Sequence, residues 1–183
     1  MWKNTILILS ILFSYLFLEQ IYAEEPKEQK ILFEIEHINY AWGYHHSGTY
    51  IDNEGNVFEY DHSYEGWYSK TGYNPPDEGD GSLTGQQLLE KIGDKKNWIG
   101  KIEKKELLDK IKLIPDASKG ILSDPGRIAY DAGSTEFRAY LYLDAEDKYI
   151  PISLKKRGAS SRENLSESGK KLYQWLEQVA TRF

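Results

Sequence analysis

The chain contains no cysteine in 183 residues. No disulfide can form, no thiol can serve as a nucleophile, and no lipid can be attached through a cysteine. Small exported domains commonly depend on disulfides where the core is small; here packing alone has to hold the fold. Basic residues are in the minority, 23 Lys and Arg against 29 Asp and Glu, for a formal net charge of -6. An acidic domain repels phosphate backbones, and no basic stripe offsets this, so general nucleic-acid binding is not expected. Lys155-Lys156-Arg157 reads as a solvated strand end. There is no Gly-x-Ser-x-Gly segment, so a serine-hydrolase reading has no anchor. The one long apolar run, Thr5 to Leu18, is short for a bilayer span, which takes about 20 residues.

That run is instead placed as a secretory signal is. Lys3 supplies a positive start, Thr5 to Leu18 the apolar segment, and Ile21-Tyr22-Ala23 a small residue for cleavage. Residues 1–23 are therefore expected to be a signal peptide and residues 24–30 a flexible polar leader. Residues 31–183 then form a single domain, periplasmic or extracellular, with no membrane span once the signal is removed. About 160 residues remain, enough for one core without staples.

From Ile31 onward the pattern is β. Ile31, Phe33 and Ile35 alternate with Leu32, Glu34 and Glu36, and Tyr40, Trp42 and Tyr44 continue the alternation. Asp52-Asn53-Glu54-Gly55-Asn56 fits a type I turn followed by a left-handed glycine. The register then pairs Ile51 with Val57, Tyr50 with Phe58, Gly48 with Tyr60 and His46 with His62. Tyr64 to Ser82, rich in Gly, Pro and Asp, reads as a long loop. Thr84 with Gln87 forms a capping-box pattern opening a helix whose apolar face is Leu88, Leu89 and Ile92. A second helix is expected from Glu103 to Leu113, stopped by Pro115. Arg127 to Leu154 returns to β, with Pro151 marking an edge. Ser166 caps a last helix bearing Leu172, Trp175, Leu176 and Val179 at helical spacing. The fold class is α+β: an antiparallel, meander-like sheet with about three helices packed on one face.

All four histidines fall between His37 and His62. The turn register brings His46 and His62 directly opposite each other, with Cβ atoms about 4.5 to 5.5 Å apart. Two imidazoles that close are a candidate zinc pair, short of the three or four ligands zinc normally takes. Tyr60 lies one step away on the same face. Glu59 and Asp61 alternate on the opposite face beside His45, where a carboxylate pair suits glycosidic chemistry. Asp52 to Asn56 lacks the spacing and closing glutamate of a calcium loop. The most unusual feature is aromatic density, from Tyr40 to Tyr73. Trp42, Tyr44, Tyr60, Trp67, Tyr68 and Tyr73 are the candidate ligand-binding residues, because Tyr and Trp combine rigid apolar area with a polar handle.

The sequence therefore favours a non-enzymatic binding module for a glycan or protein partner, built on an aromatic-rich hairpin and loop. A metal-assisted or carboxylate-based hydrolase centred on His46 and His62 is the alternative.

Overall fold

The computed structural model describes residues 30–39, 45–62, 81–93, 96–126 and 133–183. Its first hairpin is built by Asp52. The Asp52 carbonyl accepts the Gly55 amide at 3.1 Å, and its carboxylate accepts the Glu54 and Asn56 amides at 2.9 and 2.8 Å. Gly55 sits at φ +83°, and a Cβ there would lie 2.6 Å from the Ile102 carbonyl oxygen, so the turn requires glycine. The hairpin joins β2 (His45–Asp52) to β3 (Asn56–Asp61), in the register the turn chemistry dictates: Ile51 opposite Val57, Tyr50 opposite Phe58 and Gly48 opposite Tyr60.

Around it lie β1 (Ile31–Asn39), β4 (Leu83–Thr84), β5 (Lys96–Lys101), β6 (Ser134–Leu143), β7 (Lys148–Gly158) and β8 (Arg162–Glu163). They form one curled antiparallel sheet of order β4-β7-β6-β1-β2-β3-β5, with β8 paired to β7. The helices are α1 (Gly85–Ile92), α2 (Lys104–Ile111), the single turn α3 (Ile114–Ala117) and α4 (Glu167–Arg182). The fold is thus α+β, as its alternating patterns indicate.

Both sheet faces are covered, which differs from the expected one-sided arrangement. α2, α3 and α4 lie on the face of Phe33, Ile51, Val57, Phe137 and Ala139, where Leu107, Ile114, Leu172 and Leu176 complete the larger core. Phe33 meets Trp175 edge-to-face at 4.9 Å between ring centres. α1 crosses the other face, placing Leu88 and Ile92 among Tyr50, Tyr60, Tyr140 and Tyr149. The reason is local: the Thr84 capping box starts α1 straight from β4, so the helix folds over the face to which that short strand delivers it. Double coverage also explains why Ile31 to Glu34 are buried without alternation.

Two prolines behave as their chemistry requires. Pro115 does not end the second helix outright; α2 stops at Ile111, and Pro115 occupies the first turn of α3, where its missing N–H is no loss. Pro151 faces Tyr140 of β6, while among the described residues the other side of β7 pairs with strands at 148–149 and 155–156 and accepts the Asn164 amide at Leu154. It therefore sits at a locally open edge. Asn164 is buried and ties three elements together: its side-chain amide donates to the Ala117 carbonyl of α3 at 3.0 Å, its backbone amide to the Leu154 carbonyl of β7 at 2.9 Å, and its side-chain oxygen accepts from Ser166 Oγ, the cap of α4, at 2.7 Å. Among the described residues no helix is long and apolar enough to cross a membrane. The signal peptide, the leader up to residue 29, the expected loop up to residue 80 and the strand expected at Arg127 to Tyr130 lie outside the described residues.

Candidate functional site

Glu34 and Glu36 alternate along β1 and point to the α1 face, where both are buried. A carboxylate there is tolerable only with partners. Glu34 receives four: Tyr60 Oη at 2.6 Å, Tyr140 Oη at 2.5 Å, Lys91 Nζ at 2.7 Å and Arg138 Nη1 at 3.4 Å. Glu36 accepts from Lys91 Nζ at 2.7 Å, from His46 Nε2 at 2.9 Å and from Arg138 Nη1. Arg138 also donates to Glu136 at 2.6 Å. The strands place these groups by register alone: Arg138 is the cross-strand partner of Glu34, and Glu136 of Glu36. Lys91 comes from α1, on the same helical stripe as Leu88 and Ile92.

The electrostatics follow from the geometry. Burial pushes the Glu34 carboxyl upward, but Lys91 and Arg138 outweigh it and hold it below the ordinary carboxylate range. Burial likewise opposes the charge on Glu36, yet Arg138, Lys91 and the His46 hydrogen bond keep it well below that range. Tyr60 and Tyr140 are pushed far up, by burial first and then by the Glu34 charge, so both remain hydroxyl donors. Gly48 makes room for this: a Cβ there would come within 2.6 Å of Tyr60 Oη.

His46 and His62 come together as the hairpin register implies, with ring centres 5.8 Å apart and Tyr60 near both. The His62 amide donates to the His46 carbonyl at 2.7 Å. Both rings are buried, and both Nε2 atoms are engaged, His46 with Glu36 and His62 as donor to the Ile92 carbonyl at 2.5 Å. A metal held through Nε2 would break both bonds. Among the described residues no group of three or more His, Cys, Asp or Glu side chains is arranged to hold a metal ion.

On the opposite face the helices cover Ile51 and Val57, and the far end of the hairpin, at Glu59 and Asp61, is exposed. Ser47, Thr49, Glu59 and Asp61 share the face of Ile51 and Val57 by the two-residue period. With Asn97 and Lys96 of β5 they line a cleft of about 800 Å³. Ser47 faces Asp61, and Glu59 stands between Thr49 and Asn97 in the ladder. The Asn97 amide donates to Glu59 at 3.3 Å. The cleft is solvent-facing and acidic, and its volume lies in the range of small-molecule sites, about 300 to 1,000 Å³.

Of the aromatic residues singled out from the sequence, Tyr60 is buried with its hydroxyl committed to Glu34, and it is among the residues that line the cleft. Trp42, Tyr44, Trp67, Tyr68 and Tyr73 lie outside the described residues. Lys91, Arg138 and Tyr140 were not anticipated as partners of the two glutamates. One signal pointed to them: Lys91 interrupts an apolar helical stripe, and a lone cation in such a stripe needs a buried anion.

Compared with known proteins, the chain matches no family model, no curated sequence and no solved structure.

Proposed function

We propose that the protein is an exported, non-catalytic binding module that takes a glycan segment in the open cleft of its first hairpin. The observation that carries this reading is the division of labour between the hairpin's two faces. On the α1 face, the buried Glu34, Glu36, His46, Tyr60 and Lys91 and the partly buried Arg138 join in one hydrogen-bonded network beneath a helix. On the other face, Glu59 and Asp61 are exposed among Ser47, Thr49 and Asn97, around a hollow of ligand size. Carboxylates accept paired sugar hydroxyls, and an amide supplies both donor and acceptor. The aromatic-rich segment with Trp67, Tyr68 and Tyr73 follows Asp61 closely in sequence, and such rings suit the apolar faces of sugars.

The test is a glycan array probed with the mature protein and with a Glu59→Gln, Asp61→Asn variant. Retention of one glycan class by the wild type, weakened by about tenfold or more in the variant (about 1.4 kcal/mol of binding), is expected. The two substitutions are exposed, so the unfolding free energy should stay within the spread of ordinary surface changes, about 0.5 kcal/mol. Equal binding by both proteins would move the site elsewhere. Export is checked by N-terminal sequencing of the secreted chain, which should begin at Glu24.

A further inference from the structure

β5 closes one end of the strand order, pairing with β3 along its inner edge. Among the described residues no strand pairs with its outer edge. A strand in that position presents unpaired backbone donors and acceptors, a ready template for another chain. The face it presents is specific. Tyr50 stacks on Phe58 with ring centres 5.0 Å apart and planes 18° from parallel, and Phe58 is the cross-strand partner of Trp98. A row of aromatics therefore runs across β2, β3 and β5 and ends at Trp98, which is 62% exposed.

Lysines bracket that end. Lys96 precedes Trp98 by two residues, and its ammonium lies 5.7 Å from the Phe58 ring centre. Lys101 is paired with Asn56, two residues before Phe58, so it reaches the same face. The register shift between Val57 and Phe58 makes this possible, adding one residue to β5 between Trp98 and Gly100. Lys96, Trp98 and Lys101 thus form a cation–aromatic–cation edge, all three exposed, on a protein whose net charge is -6.

We infer that the outer edge of β5 is a docking site for an extended acidic segment of another protein, added as a further strand. A second copy of this chain is the wrong occupant: two β5 strands side by side would gather four lysines along six residues, and like charges across a strand pair are destabilising. An acidic strand reverses that sign at both ends. Its backbone supplies ladder bonds, an apolar or aromatic residue continues the row beyond Trp98, and Asp or Glu on the same face meet Lys96 and Lys101. This is strand addition, in which main-chain bonds give affinity and alternate side chains give specificity. The inference shares Lys96 with the cleft reading but not its carboxylates: Glu59 and Asp61 lie on the other face, so the Glu59→Gln, Asp61→Asn variant tests the cleft alone.

The test uses a synthetic hexapeptide, acetyl-Glu-Val-Tyr-Val-Glu-Thr-amide, a lysine version with both glutamates replaced, and an acidic version N-methylated at alternate residues. Binding to the full chain is followed by NMR titration at low salt. The acidic peptide is expected to bind with a Kd below about 1 mM, the lysine and N-methylated peptides at least about tenfold more weakly. A Lys96→Glu, Lys101→Glu variant should reverse the preference and take the lysine peptide. Trp98→Ala, a change at one exposed ring, should weaken the acidic peptide while leaving the fold intact by circular dichroism. Absence of acidic-peptide binding at 1 mM would overturn the inference. So would equal binding of the N-methylated peptide, which would mean charge contact without strand pairing, or a concentration-dependent dimer abolished by Trp98→Ala.

Discussion

Replacing Lys91 with methionine should lower the unfolding free energy by about 3 to 5 kcal/mol, the cost typical of removing one partner from a buried ion pair. Methionine keeps most of the length and the apolar stem of lysine, so the loss is not a cavity. What remains is the two carboxylates of Glu34 and Glu36, both buried, with the Arg138 guanidinium as their shared cation and the Tyr60, Tyr140 and His46 hydrogen bonds beside it. The lysine ammonium lies 2.7 Å from each of them, with its side chain 5% exposed. Urea denaturation at pH 7 measures the difference. The Lys112–Asp109 pair is the control. It has the same chemistry at 3.0 Å, but both side chains are more than half exposed, and exposed pairs are worth little. Lys112→Met should leave the urea midpoint in place.

The same variant should have an altered response to acid. Glu34 and Glu36 are held below their ordinary range in the folded protein. Carboxyls depressed by folding add stability that is fully present above their unfolded-state value, about 4.3, and is lost as pH falls through the folded one. Wild-type stability should therefore decline as the pH drops below about 5. In Lys91→Met the strongest opposing charge on Glu34 is gone and burial pushes its carboxyl up. A group raised by folding contributes in the opposite sense: it favours the folded state when protonated, and that contribution fades as pH rises. The gap between the two proteins should thus narrow steadily between pH 7 and pH 4, read from urea midpoints at half-unit steps. A constant gap would mean that Lys91 acts through packing alone.

How much of this was legible in the sequence differs from element to element. The first hairpin was fully legible, because Asp52 and Gly55 satisfy one turn geometry and the register follows by counting. The caps at Thr84 and Ser166 were legible for a similar reason: each depends on a side chain within three residues. β5 was not. Lys-Asn-Trp-Ile-Gly-Lys lacks clean alternation because the strand carries an extra residue at its register shift and lies at an edge, where Lys96, Asn97, Trp98 and Lys101 are all exposed. The placement of α1 on the second face was also hidden. Its apolar stripe specifies that it packs, not on which side.

The site divides along the same line. The approach of His46 and His62 follows from the turn, whereas their partners come from β1 and α1, 10 and 30 residues away in sequence. Glu34 looked like an ordinary strand glutamate because its neighbours in space, Tyr60, Lys91 and Tyr140, are 26, 57 and 106 residues distant. Only the packing of both faces turns it from a solvated charge into the centre of a network.

That network is the foundation of the functional reading, since it commits the polar groups of one hairpin face to holding α1, while the proposed glycan contacts, Glu59 and Asp61, lie on the other. A double-mutant cycle on Lys91→Met and Glu34→Gln tests it directly, by urea denaturation of the wild type, both single variants and the double variant at pH 7. Groups in one hydrogen-bonded network should couple by about 1 to 3 kcal/mol, the double variant costing far less than the two singles combined. Additive costs, with coupling near zero, would mean that Lys91 and Glu34 do not share a buried bond and that the α1 face is not closed.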